Sequence, residues 1–146
     1  MFTGLTGVRA LLMVSAHWVT HGTQVTAMPQ PRTIHDFGGF PRELYQVSYP
    51  APGSAEIAQE VIAALEPRPA KADTSWGLDH GTWSILVHAL PDAKIPVLQL
   101  SIDGKASPAD FFAIGRSLRP LREQGILLCG SGNIVHNLSR VDWSRL

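Results

Sequence analysis

Apolar and polar positions switch between two spacings along this chain, and the switches mark its elements. Ala10-Leu-Leu-Met-Val-Ser15 is a continuous apolar run with the length of a strand buried on both faces. Thr23 to Met28 is a shorter β-like piece. The pattern then dissolves into a long connection punctuated by Pro29, Pro31, Gly38, Gly39, Pro41, Pro50, Pro52 and Gly53. Connections of this length in a compact domain commonly bind ligands or act as lids, and this one carries His35, Asp36, Phe37, Arg42 and Tyr45.

Helical spacing returns at Ser54, placed to cap a helix running to about Glu66, with Ile57, Val61, Ile62 and Leu65 on one face. Pro67 and Pro69 stop it, a polar stretch leads to Trp76, and Ile85, Leu86 and Leu90 predict a short second helix. Ile95 to Ile102 reads as the next strand. Ser107-Pro108 opens a third helix whose expected buried face is Phe111, Phe112, Ile114 and Leu118. Pro120 kinks or ends it, Gly125 closes it, and Ile126-Leu-Leu-Cys-Gly130 forms a last strand leading into Ser131 to His136. Strand and helix alternate, which predicts an α/β fold: a three-layer parallel or mixed sheet with helices on both faces and right-handed crossovers.

At 146 residues the chain is a single domain over positions 1–146, large enough for a proper core. Both ends read as cuts through a larger domain, since few residues precede the first strand and no cap or tail signal marks Val141 to Leu146. Lysine plus arginine equals aspartate plus glutamate at 12 each, so no basic field points to nucleic acid or to an anionic membrane. The expected partner is a small molecule. No apolar run approaches the roughly 20 residues that cross a bilayer, and Arg9 with Ala10 to Ala16 only faintly imitates a signal peptide. Cys129 is the one cysteine, which excludes a disulfide framework and a multi-thiolate metal site and fits a reducing, cytoplasmic setting.

The candidate chemistry lies in histidines. His17 and His136 each follow a strand-like run, and in open parallel sheets the ligand crevice lies beyond the carboxyl ends of the strands. Two imidazoles delivered there could share a metal, whereas either one alone is more often a hydrogen-bonded structural residue. His21, four residues after His17, lies in sequence that favours extended chain and is expected to be exposed. Thr33-Ile-His-Asp-Phe-Gly-Gly-Phe40 sets His35 beside Asp36, with glycines that admit a ligand or simply make a turn. Asp79-His80-Gly81 opens a helix, where Asp79 could act as a cap; Trp76 and Trp83 could wall a planar substrate or pack in the core. His88 has no motif around it and reads as structural. Gly130-Ser131-Gly132 is not a nucleophile elbow, because Cys129 stands where the first glycine is required, and no glycine-rich segment has nucleotide-binding spacing.

Taken together, Ser15-Ala-His-Trp18, Thr33-Ile-His-Asp-Phe-Gly-Gly-Phe-Pro41, Tyr49-Pro-Ala-Pro-Gly53, Trp76-Gly-Leu-Asp-His-Gly-Thr-Trp83, Gln99-Leu-Ser-Ile-Asp103 and Ser131-Gly-Asn-Ile-Val-His-Asn137 resemble the DOPA 4,5-dioxygenase-like branch of the class III (LigB-like) extradiol ring-cleavage dioxygenases. The resemblance spans nearly the whole chain. It implies a non-haem metal enzyme that opens catechol-type rings with dioxygen to give a ring-opened semialdehyde. On that reading His17 and His136 match metal ligands, His136 and His80 match catalytic groups, and His35, Asp36, His80 and Trp83 face the substrate. Turnover implies Fe(II); Zn(II) could occupy the same ligands but has no redox chemistry with which to activate oxygen.

Family members carry one further histidine in a His-Gly-Ser-Pro motif ahead of the first shared strand and another in a later segment, and neither has a counterpart here. With His17 and His136 alone the site is at least one ligand short. The expectations are therefore a dioxygenase completed by another chain or by a substitute such as His35, a truncated inactive relative with weak metal binding, or an aromatic-binding module. Self-association through uncovered sheet edges is a further expectation.

Overall fold

The computed structural model describes residues 5–132, Arg140 and Asp142. Five strands form one mixed sheet: β1 (Ala10–Thr20), β2 (Thr23–Thr26), β3 (Ala70–Asp73), β4 (Val97–Asp103) and β5 (Ile126–Ser131), in the order β3-β2-β4-β1-β5. β4 and β5 run parallel to β1, whereas β2 pairs antiparallel with β4 and parallel with β3. After β1 the chain therefore steps over the end of β4 through His21 and Gly22, where Gly22 takes a positive φ of 78°, and returns on the far side of β4. His21 is exposed at this turn, as expected.

Alternating side chains of the central strands feed two cores. Ala10, Leu12, Leu98 and Leu100 join Ile57, Ala58, Val61 and Leu65 on one face, together with Leu118 and Leu121. Leu11, Met13 and Val97 join Tyr49, Ala51, Leu78, Trp83 and Leu86 on the other. The first face is covered by α1 (Ala55–Ala64) and α3 (Pro108–Leu118), the second by α2 (His80–Ala89) and the long connection. Each helix starts where the sequence places a cap: Ser54 Oγ accepts from Ile57 N–H, Asp79 from Thr82 N–H, and Ser107 forms a capping box with Asp110. The three-layer α/β expectation holds, with a mixed sheet.

Three local expectations are corrected. β1 does not end at Ser15 but continues to Thr20, so His17 lies within the strand rather than past it; the register with β4 shifts between Val14 and Val19, and this irregular stretch carries His17. The polar stretch before Trp76 contains β3, a four-residue edge strand whose Ala-Lys-Ala-Asp sequence has no apolar alternation, because its pairing with β2 is a matter of backbone hydrogen bonds. On α3 only Leu118 is buried; Phe111 is 39% and Phe112 71% exposed, since the helix meets the sheet at its carboxyl end and leaves its first turns in solvent.

Candidate metal centre

His17, Asp36 and His80 come together on the α2 side of the sheet, each offering one donor atom within 4.8 Å of the others. The His17 and His80 rings lie 3.9 Å apart between centroids, tilted by 47°. His17 is supplied by the irregular stretch of β1, Asp36 by the long connection and His80 by the first residue of α2.

A buried polar network holds His80 in place. Asp79, fully buried, caps α2 and receives a hydrogen bond from Gln99 Nε2 at 2.8 Å, while its own N–H donates to Gln99 Oε1 at 2.8 Å. Gln99 N–H in turn donates to Thr26 Oγ1 at 2.8 Å, tying β4 to β2. Gly81 makes the close approach of α2 to the sheet feasible: a Cβ there would stand 2.5 Å from Ser15 Oγ and 3.0 Å from both His17 Cδ2 and Ser131 Oγ.

Asp36 Oδ1 accepts the His80 backbone N–H at 2.8 Å. The same oxygen lies 2.9 Å from His80 Nδ1 but off the axis of a hydrogen bond, so that buried ring nitrogen has no hydrogen-bond partner among the described residues. Burial would raise the Asp36 carboxyl, yet the interactions with His80 outweigh it and hold the group below the ordinary carboxylate range. Asp36 is thus an anion. Two imidazoles and one carboxylate make a donor set suited to a non-haem divalent metal with positions left for other ligands.

Beside the three donors, Phe37, Phe40, Leu44, His80, Trp83 and Ser84 line a small apolar cleft of 110 Å³. Trp83 is nearly fully buried and donates from Nε1 to Ile34 O at 2.8 Å, which fixes its ring against Phe37 and His35. His35 Nε2 lies 3.0 Å from Val47 O; a carbonyl only accepts, so this nitrogen carries the proton.

The family described as "Catalytic LigB subunit of aromatic ring-opening dioxygenase" matches residues 3–143. The chain belongs to the LigB family. It is 54% identical over 136 residues to the 4,5-DOPA dioxygenase extradiol of Escherichia coli K12, covering 92% of this chain and 50% of that protein. It is 40% identical over 131 residues to the protein of that name from Beta vulgaris, covering 88% and 49%. A crystal structure of an uncharacterized Escherichia coli K12 protein superposes with a TM-score of 0.76 at 46% identity, over 93% of this chain and 51% of that one. The chain thus spans about half the length of the LigB relatives it matches.

Of the residues that the sequence assigns to the LigB site, His17, Asp36 and His80 meet at one point, and Trp83 lies against the same cleft. His136 lies outside the described residues. The neighbours of His17 in the donor cluster are Asp36 and His80, while His35 Nε2 lies 3.0 Å from Val47 O. Trp76 stacks on Trp18 at 5.8 Å and 4°, and Trp83 packs in the core, the second of the two roles its sequence allowed. Gln99 and Thr26, which are not among the site residues expected from sequence, support the cap of α2. The signal was a glutamine inside the apolar run Val97-Leu-Gln-Leu100, where a buried amide requires a partner.

Proposed function

We propose that this chain binds a divalent non-haem metal and serves extradiol opening of a catechol-type ring by dioxygen. The observation that carries the reading is the meeting of His17, Asp36 and His80 beside an aromatic cleft in a LigB-family chain. When bound, Fe(II) would supply a redox-active centre through which electrons of the catecholate reach dioxygen, with no net change in the metal; Zn(II) would hold the site without redox chemistry. Fe(II) persists in a reducing cytoplasm, a setting in keeping with a lone cysteine.

The chain's own residues have separable tasks in this reading. His17 holds the metal, and His136 is assigned to the metal and to proton transfer by its motif. His80 stands between His17 and the cleft, placed to pass a proton or a hydrogen bond to a phenolic oxygen. Phe37 and Trp83 bracket the ring and keep water out, and Asp36 and His35 lie at its polar margin.

Anaerobic loading with Fe(II), followed by oxygen uptake with a panel of catechols, tests the proposal. Uptake that needs Fe(II), fails with Zn(II) and disappears in His17→Ala is the expected result. Metal retained through dialysis with no uptake from any catechol would overturn it in favour of an inactive metal-binding relative. Catechol binding indifferent to chelator would overturn it in favour of an aromatic-binding module.

A further inference from the structure

We propose that the outer edge of β5 docks a second copy of this chain, strand to strand and antiparallel, about a twofold axis at Leu128. The order β3-β2-β4-β1-β5 ends on two edges, and they are built differently. β3 is four residues long and carries Lys71, and its Asp73 carboxylate is taken up by Ser75 and Trp76. A short strand and an edge lysine are the usual guards against further pairing. β5 has neither. It runs six residues, Ile-Leu-Leu-Cys-Gly-Ser, without charge or proline, and among the described residues it pairs with β1 alone. Alternate N–H and C=O groups on its other side therefore point away from the sheet, and Leu127, Leu128 and Cys129 are only partly buried.

Gly130 indicates what comes to that edge. Its φ is not positive, and a Cβ built on it would meet no described residue within 4 Å, so neither conformation nor packing inside this chain calls for glycine. Glycine weakens a strand interior and commonly marks the close approach of another backbone. A second β5 supplies that backbone. With antiparallel strands centred on Leu128, Leu128 faces the partner's Leu128, Leu127 faces the partner's Cys129, and Ile126 faces the partner's Gly130, where the open space lies. Every opposed pair is apolar or small, and no like charges meet. Side chains of one face stay on one face across the junction, so both cores continue from copy to copy. The contact is isologous and stops at two copies, because the same edge is used by both. A ladder over residues 126–130 buries an area at the low end for specific interfaces, which sets a dissociation constant on the order of 10 µM. The dimer is independent of any metal at His17.

Sedimentation velocity on the intact chain under reducing conditions, from about 1 µM to about 500 µM, reads the association. The expected result is a reversible monomer–dimer equilibrium with no larger species. Gly130→Lys sets a charge where the fold leaves space and should weaken the dimer roughly tenfold or more. Register is read separately. In Leu128→Cys with Cys129→Ser, each thiol faces its own counterpart at a Cα separation of about 4.5–5.5 Å, within disulfide reach, so mild oxidation should give a covalent dimer. The parent chain, whose Cys129 faces the partner's Leu127, should give none. A chain that stays monomeric over this range, growth beyond two copies, or a dimer that Gly130→Lys weakens by less than about twofold overturns the inference. So does a dimer that cross-links through the parent Cys129 or fails to cross-link in the Leu128→Cys variant. Should Gly130→Lys not fold, the cross-linking results decide.

Discussion

Gln99 and Asp79 exchange two hydrogen bonds across twenty residues of sequence, both at 2.8 Å: the Asp79 N–H donates to Gln99 Oε1, and Gln99 Nε2 donates to Asp79 Oδ2. A central strand thereby holds the cap of the helix that presents His80. Both side chains are fully buried, so each depends on the other. Gln99→Leu should cost about 2–4 kcal/mol in urea denaturation, because buried Asp79 would keep the Thr82 N–H on Oδ1 but lose the donor to Oδ2. A loss below about 0.5 kcal/mol would mean that Asp79 finds another donor.

Gly81→Ala should destabilise the protein even though alanine favours a helix by about 1 kcal/mol over glycine. The new methyl would meet Ser15 Oγ at 2.5 Å and His17 Cδ2 at 3.0 Å, and overpacking of this kind costs about 1–3 kcal/mol. Because the displaced atoms include the His17 ring, Co(II) affinity should fall in the same variant. Unchanged affinity with raised stability would show that α2 does not lie this close to the sheet.

The apolar positions of α3 and α2 should differ sharply on substitution. Phe112→Ser, at a position 71% exposed, should change thermal stability by no more than about 0.5 kcal/mol. Trp83→Ala, at a position 3% exposed and hydrogen-bonded to Ile34 O, should cost about 3–5 kcal/mol. A large loss at Phe112 would place a cover over α3 in solution.

Stability should fall on acidification. Burial alone would raise the Asp73 carboxyl, but hydrogen bonds from Trp76 N–H, Ser75 Oγ and Ser75 N–H together hold it low. Its hydrogen bond with Arg9 lowers Glu60, and one from Ser107 lowers Asp110. A carboxyl that is lower folded than unfolded contributes stability above its unfolded value near 4, and that contribution is lost as pH falls through the folded value. Urea midpoints measured from about pH 6 down to 2 should therefore decline mainly below about 5. Asp73→Ala should flatten part of that decline; an identical slope would remove Asp73 from the account.

Local chemistry was legible in the sequence. Ser54, Asp79 and Ser107 cap their helices through hydrogen bonds that reach three residues along the chain, so each start can be read from its neighbours. The apolar runs at Leu11 and Leu98 identify central strands because both faces of the sheet are covered. The motifs around His17, Asp36 and His80 marked residues whose donor atoms the fold brings together.

Tertiary structure alone decided how these pieces meet. β2 lies beyond β4 instead of beside β1, and β3 extends that edge, because strand pairing is made by backbone groups that every sequence possesses. Phe111 and Phe112 share helical spacing with Leu118, yet the angle at which α3 meets the sheet determines which of them is covered. Residues 17, 36 and 80 are brought within 4.8 Å by a strand, a loop and a helix packed on one another. Spacing along the chain can name such donors, but which of them share a point in space depends on contacts among elements far apart in sequence.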